Sequence, residues 1–519
     1  MYINSYSPFA YKGFLVRVEA DIRRGLPGFD ITGLASNAVR ESRERVRVAL
    51  RNCGWPFPGD RILINLAPAG IKKDGASFDL PIALAVMAAA GFAPDPGNIL
   101  VMGELDLSGN IRPVHGALAA VAAGMECGIR DFIVPLANAR EASLIEGSNV
   151  AGASNLAEAV VFLQEREKTG VLPKRIDSRD AENAGDEKYD YEQPFEGDFA
   201  EVHSQGRYKR ALEISASGAH NLLVFGPPGA GKTMLARRLP TIMVPLSIKE
   251  SVTVTRLHSL AGDLKNECAL IKRPPFRSPH HSASAEGIIG GGKTIRPGEI
   301  SLSHFGVLFL DEAPQFRINI LQALREPLED KVISISRAGG EAKLPAAFQL
   351  LLAANPCPCG RLGAQSAESC FCSGDEVHRY WRRFGGALLD RVELRVPVKN
   401  PSTADFTSGN EESSSAVLER VINSVNIQRM RFKNTNIRRN NAIPQGDLSR
   451  FCTPDEGAKS ALRKASEKLN LSGRAFSAVL RVSRTIADLE GSEQIKSEHI
   501  LEAIAHRRSG DDPYDVFSV

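Results

Sequence analysis

The most informative segment of this sequence is glycine-rich and spans residues 226–233. It fits the pattern G-x-x-x-x-G-K-[ST] and directly follows a mostly apolar run at residues 221–225. Glycines allow backbone N–H groups to turn inward around phosphates, and the helix that follows points its positive end at them. A glycine-rich turn without function is the alternative, but strand, loop and helix signals occur in the required order. The sequence therefore predicts a phosphate-binding loop formed by Gly226, Pro227, Pro228, Gly229, Ala230, Gly231, Lys232 and Thr233.

Two further apolar runs end in polar side chains that suit the chemistry of such a loop. Asp311 and Glu312 follow the run at residues 307–310, and Asn355 comes soon after the run at 348–353. Ligands of parallel sheets bind at the carboxyl ends of the strands, so we expect these side chains to lie together. In that position Glu312 can take a proton from an attacking water that the Asn355 amide orients.

The same loop predicts the cofactors. Lys232 is expected to reach the β- and γ-phosphates of ATP, and the Thr233 hydroxyl is expected to ligate Mg²⁺. Asp311 can hold the same Mg²⁺ through water, since carboxylate and hydroxyl oxygens are its preferred ligands. The predicted cofactors are therefore ATP and Mg²⁺.

Composition excludes several classes of protein. The 519 residues include 64 Lys and Arg against 61 Asp and Glu, so a nucleic-acid contact has to come from a local patch. The longest apolar stretch, residues 80–90, is shorter than the roughly 18 residues that a membrane-spanning helix needs. The N-terminus lacks a signal peptide, and eight cysteines in this length are no disulfide framework. These features predict a cytoplasmic protein without a membrane partner.

Changes in composition and residue pattern divide the chain into four parts. Residues 1–163 have alternating strand-like and Ala-rich helical runs, and residues 164–197 form a charged, apolar-poor linker. Residues 198–400 carry the phosphate-binding motifs, and residues 401–519 have a helical pattern. The sequence thus predicts an α/β core with a C-terminal helical domain, preceded by a second α/β domain.

Taken together, the motifs resemble those of a known family. The phosphate-binding loop, Asp311, Glu312 and Asn355 are similar to the motifs of an AAA+ ATPase. Five intervening segments resemble the magnesium-chelatase-like branch and, within it, the bacterial YifB/ComM group; they are residues 274–284, 290–292, 296–301, 324–330 and 355–360. The resemblance implies an AAA+ P-loop core with a helical lid, and an oligomeric ring, normally hexameric, with ATP at the subunit interfaces.

The resemblance also assigns roles to arginines. Arg391, in Leu-Leu-Asp-Arg, matches the arginine finger that reaches the γ-phosphate in a neighbouring subunit, although a surface pair with Asp390 is the alternative. Arg474 matches the sensor-2 position of the lid. Arg481, two turns further along, is a second candidate for that role.

Residues 331–344 have the pattern of two strands around a Gly-Gly turn and resemble the pre-sensor hairpin of this branch. In ring motors such hairpins point into the pore, where Lys331, Arg337 and Lys343 could follow a phosphate backbone. A solvated surface hairpin is the alternative. A second basic stretch, residues 429–439, either binds DNA phosphates or is a solvated junction.

Half of the cysteines lie in one segment. Cys357, Cys359, Cys370 and Cys372 form two C-x-C pairs separated by ten residues. Four thiolates in a reducing compartment suit tetrahedral Zn²⁺. The spacing within each pair is tighter than the common C-x-x-C, but the clustering favours a structural zinc site.

The first domain resembles the proteolytic domain of Lon. Ser77 lies where Lon has its nucleophilic serine, but the stretch that should supply the lysine base, residues 113–120, contains none. His115 is the nearby alternative base, and a lone histidine is more often structural. We interpret this domain as a proteolytically inactive scaffold.

These observations favour a ring-forming ATPase that couples ATP hydrolysis to translocation on DNA. The YifB/ComM resemblance implies a branch-migration helicase of natural transformation and recombination. The alternatives are a magnesium-chelatase motor and a chaperone-like remodeller of a protein partner. The fused Lon-like domain distinguishes this chain from the magnesium-chelatase subunit. The hairpin at residues 331–344 is basic and lacks the aromatic loop that would favour a protein remodeller.

Overall fold

The computed structural model describes two α/β units and a helical unit. The described residues are 1–8, 11, 13–71, 73, 75–173, 197–264, 270–292, 295–337, 340–363, 370–401 and 411–508. Most of the predicted charged linker, residues 174–196, lies outside them.

The first unit is built on a seven-stranded mixed sheet with the strand order β3-β4-β2-β1-β5-β8-β9. Its strands are β1 (Tyr2–Ser7), β2 (Phe14–Arg23), β3 (Gly28–Thr32), β4 (Arg61–Ala67), β5 (Ile99–Val101), β6 (Glu104–Leu105), β7 (Ile111–Arg112), β8 (Asp131–Pro135) and β9 (Asn149–Ala153). Its helices are α1 (Asn37–Asn52), α2 (Asp79–Ala89), α3 (Ala117–Glu126), α4 (Leu136–Ala142) and α5 (Leu156–Thr169).

The packing of this unit follows from its side-chain pattern. Val16, Val18 and Ala20 alternate along β2 and are buried, as expected where alternate side chains point to one face. Helix α2 is apolar on all sides and is buried between the sheet and α1. The unit extends past its predicted end at residue 163, because α5 continues to Thr169 and Leu172 packs in the same core.

The second unit is built on a five-stranded, entirely parallel sheet with the order β11-β14-β17-β10-β18. The strands of this unit are β10 (Leu222–Phe225), β11 (Phe276–Arg277), β12 (Gly290–Gly291), β13 (Arg296–Pro297), β14 (Val307–Leu310), β15 (Val332–Arg337), β16 (Gly340–Pro345), β17 (Gln349–Ala354) and β18 (Leu394–Pro397). Its helices are α6 (Gly206–Gly218), α7 (Lys232–Ala236), α8 (Ile248–Ala261), α9 (Ala285–Ile289), α10 (Glu299–Leu302), α11 (Ile318–Ala323), α12 (Arg325–Asp330), α13 (Gly374–Trp381) and α14 (Gly386–Leu389).

The strand order places three predicted motifs at one edge of this sheet. Strand β17 lies between β10 and β14, and all three run in the same direction. The loops that leave their carboxyl ends, at residues 226, 311 and 355, are therefore neighbours. Every residue of the three strands is buried, as expected for a parallel sheet that is covered on both faces.

The third unit is helical and continues the core of the second. Its helices are α15 (Ser414–Arg431), α16 (Leu448–Phe451), α17 (Glu456–Leu469), α18 (Gly473–Leu489) and α19 (Ser497–Arg508). Helix α18 packs on α6, α19 packs on β18, and apolar residues of these elements share one hydrophobic cluster. The lid and the parallel sheet are thus joined by a common core.

Helix α8 connects the first unit to the second. The buried Glu141 carboxylate accepts hydrogen bonds from the Leu118 N–H, at 3.1 Å, and from the Ser259 hydroxyl of α8. One turn earlier on α8, the Arg256 guanidinium lies 4.5 Å from the centre of the Tyr11 ring. A buried carboxylate needs such donors, so this contact ties the two units together.

None of the described helices has both the length and the apolar character that crossing a membrane requires.

Candidate functional site

The phosphate-binding loop takes the shape that its glycines permit. Gly229 and Gly231 have φ angles of 81° and 78°, a region that favours glycine, and helix α7 begins immediately afterwards at Lys232. Gly226 lies so close to the neighbouring chain that an added Cβ would be 2.3 Å from the Val398 carbonyl oxygen. The loop is thus packed between β10 and the segment that follows β18.

The Lys232 ammonium lies across this loop. Its Nζ donates to the carbonyl oxygens of Gly226 and Pro227, at 2.6 and 2.9 Å, and to Asn355 Oδ1 at 3.2 Å. Burial lowers the pKa of Lys232 to about 8, although the nearby Asp311 and Glu312 oppose that shift. Lys232 and Asn355, predicted from motifs 123 residues apart, are therefore in direct contact.

The residues predicted to hold Mg²⁺ also lie together. Thr233 Oγ1 donates to Asp311 Oδ2 at 2.7 Å, so a hydroxyl and a carboxylate present oxygens at one point. This donor set suits a hard cation such as Mg²⁺. The hydroxyl of the buried Tyr208 donates to the Lys232 carbonyl oxygen at 3.3 Å and so holds the first turn of α7 in place.

Glu312 is the neighbouring acid. Its backbone is in the left-handed region, with φ 49° and ψ 42°, and its N–H donates to Asp311 Oδ1 at 2.9 Å. Such a conformation is uncommon for a residue with a side chain and occurs often at functional sites. His281, from the segment between the motifs, places its Nδ1 3.8 Å from Glu312 Oε2.

The four clustered cysteines follow Asn355 directly. Their sulfur atoms all lie within 4.8 Å of one another, with separations of 3.3, 3.5 and 3.7 Å among Cys357, Cys359 and Cys370. A tetrahedral zinc with Zn–S bonds of about 2.3 Å needs sulfur separations of about 3.8 Å. Cys372 completes the set. The donor set and its geometry therefore fit a zinc ion.

This cysteine loop also touches the phosphate-binding loop. An added Cβ at Gly360 would be 3.1 Å from Pro228 Cγ, and Gly360 has a φ of 78°. The Trp381 indole N–H donates to the Pro356 carbonyl oxygen at 3.0 Å. The Cys-containing loop is thus packed against both the nucleotide loop and helix α13.

The two arginines predicted to act in catalysis converge on one carboxylate. Arg391 contacts Glu329 Oε1 at 2.5 Å, and Arg474 of the lid donates to the same oxygen. The hydrogen bond from Arg391 holds the pKa of Glu329 below its ordinary value. Arg481 instead donates to the Ile443 carbonyl oxygen at 2.8 Å, so of the two sensor-2 candidates it is Arg474 that accompanies Arg391.

The predicted hairpin is present as β15 and β16, an antiparallel pair in which Ser334 faces Lys343. Lys343 is exposed, whereas Lys331 precedes the hairpin and its Nζ donates to the Leu328 carbonyl oxygen at 2.8 Å. The backbone of Arg337 belongs to β15, but its side chain lies outside the described part of the structure.

The two candidate residues of the first unit occupy different surroundings. His115 lies against the second unit, since an added Cβ at Gly262 would be 3.0 Å from its Cε1 atom. The Ser77 carbonyl oxygen accepts a hydrogen bond from the Gly103 N–H at 2.9 Å. The absence of proteolysis in this unit stays a prediction.

Several site residues were missed at the sequence level. Glu329, Tyr208 and Gly360 act through contacts with residues far away in the chain, and no local pattern marks them. His281 lies in the segment 274–284, whose sequence resembles the family but does not indicate a contact with Glu312. Its position beside Glu312 depends on the packing of the segment between the motifs.

The sheet, the phosphate-binding loop and the helical lid together are typical of one protein architecture. A parallel sheet with a G-x-x-x-x-G-K-[ST] loop, an acidic pair two strands away, and a helical lid is the architecture of an AAA+ P-loop protein. The predicted fold class, an AAA+ core with a helical lid preceded by a Lon-like α/β domain, is confirmed.

Comparison with known proteins identifies the family. Models for "Magnesium chelatase, subunit ChlI", "Subunit ChlI of Mg-chelatase" and "Magnesium chelatase, subunit ChlI C-terminal" match residues 198–406, 18–138 and 411–507. The competence protein ComM of Haemophilus influenzae is 38% identical over 95% of this chain and 94% of its own length. The chain therefore belongs to the magnesium-chelatase-like AAA+ family that includes ComM and YifB.

Other relatives agree with this result. An uncharacterized protein of Mycobacterium tuberculosis is 40% identical over 96% of both chains, and YifB of Escherichia coli is 37% identical over 95% of this chain and 94% of its own. The Lon protease of Geobacter metallireducens is 26% identical over 136 residues, 25% of this chain and 16% of its own. This last match supports the Lon-like fold of the first unit alone.

The close approach at Gly226 leads to a testable prediction. We expect Gly226→Ala to destabilise the protein by about 2 kcal/mol or more, because its Cβ would collide with the backbone oxygen of Val398. Gly206→Ala is the matched control, since an added Cβ there meets nothing within 4 Å and Gly206 begins a helix. Denaturant unfolding measures both, and equal stability of the two variants would contradict the packing described.

Proposed function

We propose that this protein is an ATPase that hydrolyses ATP at the edge of the parallel sheet. The observation that carries the proposal is the contact of Thr233 Oγ1 with Asp311 Oδ2, beside the Lys232 ammonium. Lys232 binds the β- and γ-phosphates, and the loop N–H groups surround them. Thr233 and Asp311 hold Mg²⁺, which neutralises phosphate charge when bound.

In the proposed reaction Glu312 acts as the general base. Its carboxylate takes a proton from the water that attacks the γ-phosphorus, and the bond to the β–γ bridging oxygen breaks to give ADP and phosphate. The Asn355 amide, whose Oδ1 lies 3.2 Å from Lys232 Nζ, is assigned the role of orienting this water. His281 lies close enough to Glu312 to influence where its carboxylate points.

Arg391 and Arg474 supply positive charge to a neighbour's site in this proposal. Both arginines contact the Glu329 carboxylate, whereas the Lys232 ammonium contacts the phosphate-binding loop and Asn355. A ring in which each subunit offers these arginines to the next would make hydrolysis depend on assembly. The family relationship supports a homo-oligomer, and we propose a hexamer.

Mixing two inactive variants tests this arrangement. We expect Lys232→Ala and Arg391→Ala each to abolish hydrolysis, and an equal mixture to recover part of it. Recovery occurs because some interfaces combine an intact Lys232 from one subunit with an intact Arg391 from the next. Steady-state phosphate release measures the effect, with each variant alone at the same total concentration as the control. A mixture as inactive as its components would show that Arg391 does not act between subunits.

We further propose that ATP hydrolysis drives movement on DNA, as a branch-migration helicase in transformation or recombination. The relationship to ComM, a protein named for competence, supports a DNA-related role. The exposed Lys343 on the β15–β16 hairpin supports a phosphate contact there. ATP-driven remodelling of a protein partner, as in a magnesium-chelatase-like motor, is the second candidate, and the match to the chelatase subunit favours it.

DNA stimulation of hydrolysis separates these two functions. We expect single-stranded or forked DNA to raise the hydrolysis rate severalfold, and the double variant Arg337→Gln, Lys343→Gln to reduce that stimulation. Arg463→Gln with Lys464→Gln, an exposed pair on α17, is the matched control. Glu312→Gln, which keeps the loop but lacks the base, serves as the blank. A rate that DNA does not change would favour the protein partner.

The four cysteines are proposed to bind structural zinc. Their sulfur separations are close to those of a tetrahedral site, and their loop packs on Pro228 and next to Asn355. The ion would hold this loop in place against the nucleotide site, with no part in the hydrolytic step.

Metal analysis tests the zinc proposal. We expect about one zinc per chain in the purified protein, and Cys359→Ser to lose zinc and lower the melting temperature by about 5 °C or more. Cys127→Ser changes an exposed cysteine outside the cluster and is the control. The absence of zinc from the unmodified protein, together with an unchanged melting temperature in Cys359→Ser, would contradict a metal site.

A further inference from the structure

A cavity lined by three arginines, referred to as the arginine cavity, lies where the helical lid meets the second unit. It has a volume of about 610 Å³ and is lined by apolar side chains, including Phe432 and Ile437, together with Arg429, Arg438 and Arg439. A smaller cavity of about 230 Å³ adjoins it and shares Arg438 and Arg439. The three arginines come from the basic stretch at residues 429–439, for which the sequence left two interpretations open.

Only one of these arginines is neutralised by the cavity's acid. Arg438 contacts Glu250 Oε1, and its guanidinium lies 4.4 Å from the centre of the Phe305 ring. Glu250 Oε2 accepts hydrogen bonds from the Ser247 N–H and hydroxyl, at 2.8 and 2.9 Å. Both oxygens of Glu250 are thus hydrogen-bonded. Burial alone would raise the pKa of Glu250, but the Arg438 charge and these hydrogen bonds together outweigh burial and lower that pKa to about 2.

Arg439 is buried without a carboxylate. It is 8% exposed, and among the described residues its guanidinium donates only to the Arg438 carbonyl oxygen, at 2.9 Å. Burial, reinforced by the neighbouring Arg438 and only partly opposed by Glu250, lowers the pKa of Arg439 to about 9. A buried guanidinium normally has a full set of acceptors, because leaving its donors unpaired costs free energy. Arg439 lines both cavities, so this sparsely paired guanidinium belongs to their walls.

The cavity is separate from the nucleotide site. The smaller cavity is lined by Gly306 and Gln349, which stand at the amino ends of β14 and β17. The phosphate-binding loop leaves the carboxyl end of β10 in the same sheet. A ligand in the arginine cavity would therefore occupy the opposite edge of the sheet from ATP.

We propose that this cavity is a second phosphate-binding site, in which Arg439 and Arg429 bind a phosphate group of a nucleic-acid strand or of a free phosphate compound. The planar guanidinium fits phosphate oxygens with two parallel hydrogen bonds. A phosphate would supply the acceptors that Arg439 lacks. The exposed Arg429 at the mouth would add a second contact.

Binding to the full chain with its nucleotide site filled tests the proposal independently of the proposed function. The protein is saturated with Mg²⁺ and a non-hydrolysable ATP analogue. It is then titrated with inorganic pyrophosphate by calorimetry and with fluorescein-labelled oligothymidylate by anisotropy. We expect Arg439→Met to weaken binding of at least one probe by about tenfold or more. For the oligonucleotide, the slope of log affinity against log salt should fall by about 0.7.

Two controls keep the test decisive. Arg450→Met changes an exposed arginine that does not line the cavity and should bind both probes like the unmodified protein. Arg439→Met should melt no lower than the unmodified protein, because it removes an unpaired buried charge. If that variant fails to fold, Arg429→Gln at the cavity mouth carries the test.

The outcomes identify the source of the phosphate. Weakened oligonucleotide binding alone indicates a nucleic-acid strand, weakened pyrophosphate binding alone indicates a free phosphate compound, and both losses indicate a site that accepts either. Unchanged affinity for both probes in Arg439→Met and Arg429→Gln would overturn the proposal. Failure of the unmodified protein to bind either probe would overturn it as well.

Discussion

Burial of the central strands on both faces determines where ligands can bind in the second unit. Strands β10, β14 and β17 are parallel and contain no exposed residue, so a ligand can reach them only at their ends. Their carboxyl ends bring Thr233 to Asp311 and Lys232 to Asn355. Their amino ends meet the lid, where the arginine cavity lies. Two chemically different edges thus follow from one arrangement of strands.

The sequence predicted those features that depend on local pattern. The apolar runs before Asp311 and the phosphate-binding loop form strands within one residue of the expected bounds, because a strand buried on both faces must be apolar throughout. Strands β1 and β5 were not predicted, since β1 mixes polar and apolar residues and β5 has only three residues, so neither has a clear pattern. The pairing of Arg391 with Glu329 was also missed, because only the tertiary fold brings them together.

The Glu329 contacts show that a motif can identify a functional arginine but cannot identify the residue that it contacts. A sequence motif can mark an arginine as a candidate, but its charge state and partner come from packing. Arg391 is largely buried, its Nε has no hydrogen-bond partner among the described residues, and its Nη2 lies 2.5 Å from Glu329. Arg474 reaches the same carboxylate from helix α18. One negative charge therefore serves two guanidinium groups.

That imbalance connects the lid to the proposed ring. Helix α18 shares its hydrophobic cluster with the parallel sheet, so the backbone that carries Arg474 is held against the core while its side chain is half exposed. A phosphate presented by a neighbouring subunit would meet two arginines that a single glutamate does not fully neutralise. Because guanidinium–phosphate pairs are strong and geometrically specific, such a phosphate can compete with Glu329 for them. Glu329 would then orient both arginines before assembly and release them to the phosphate at the interface.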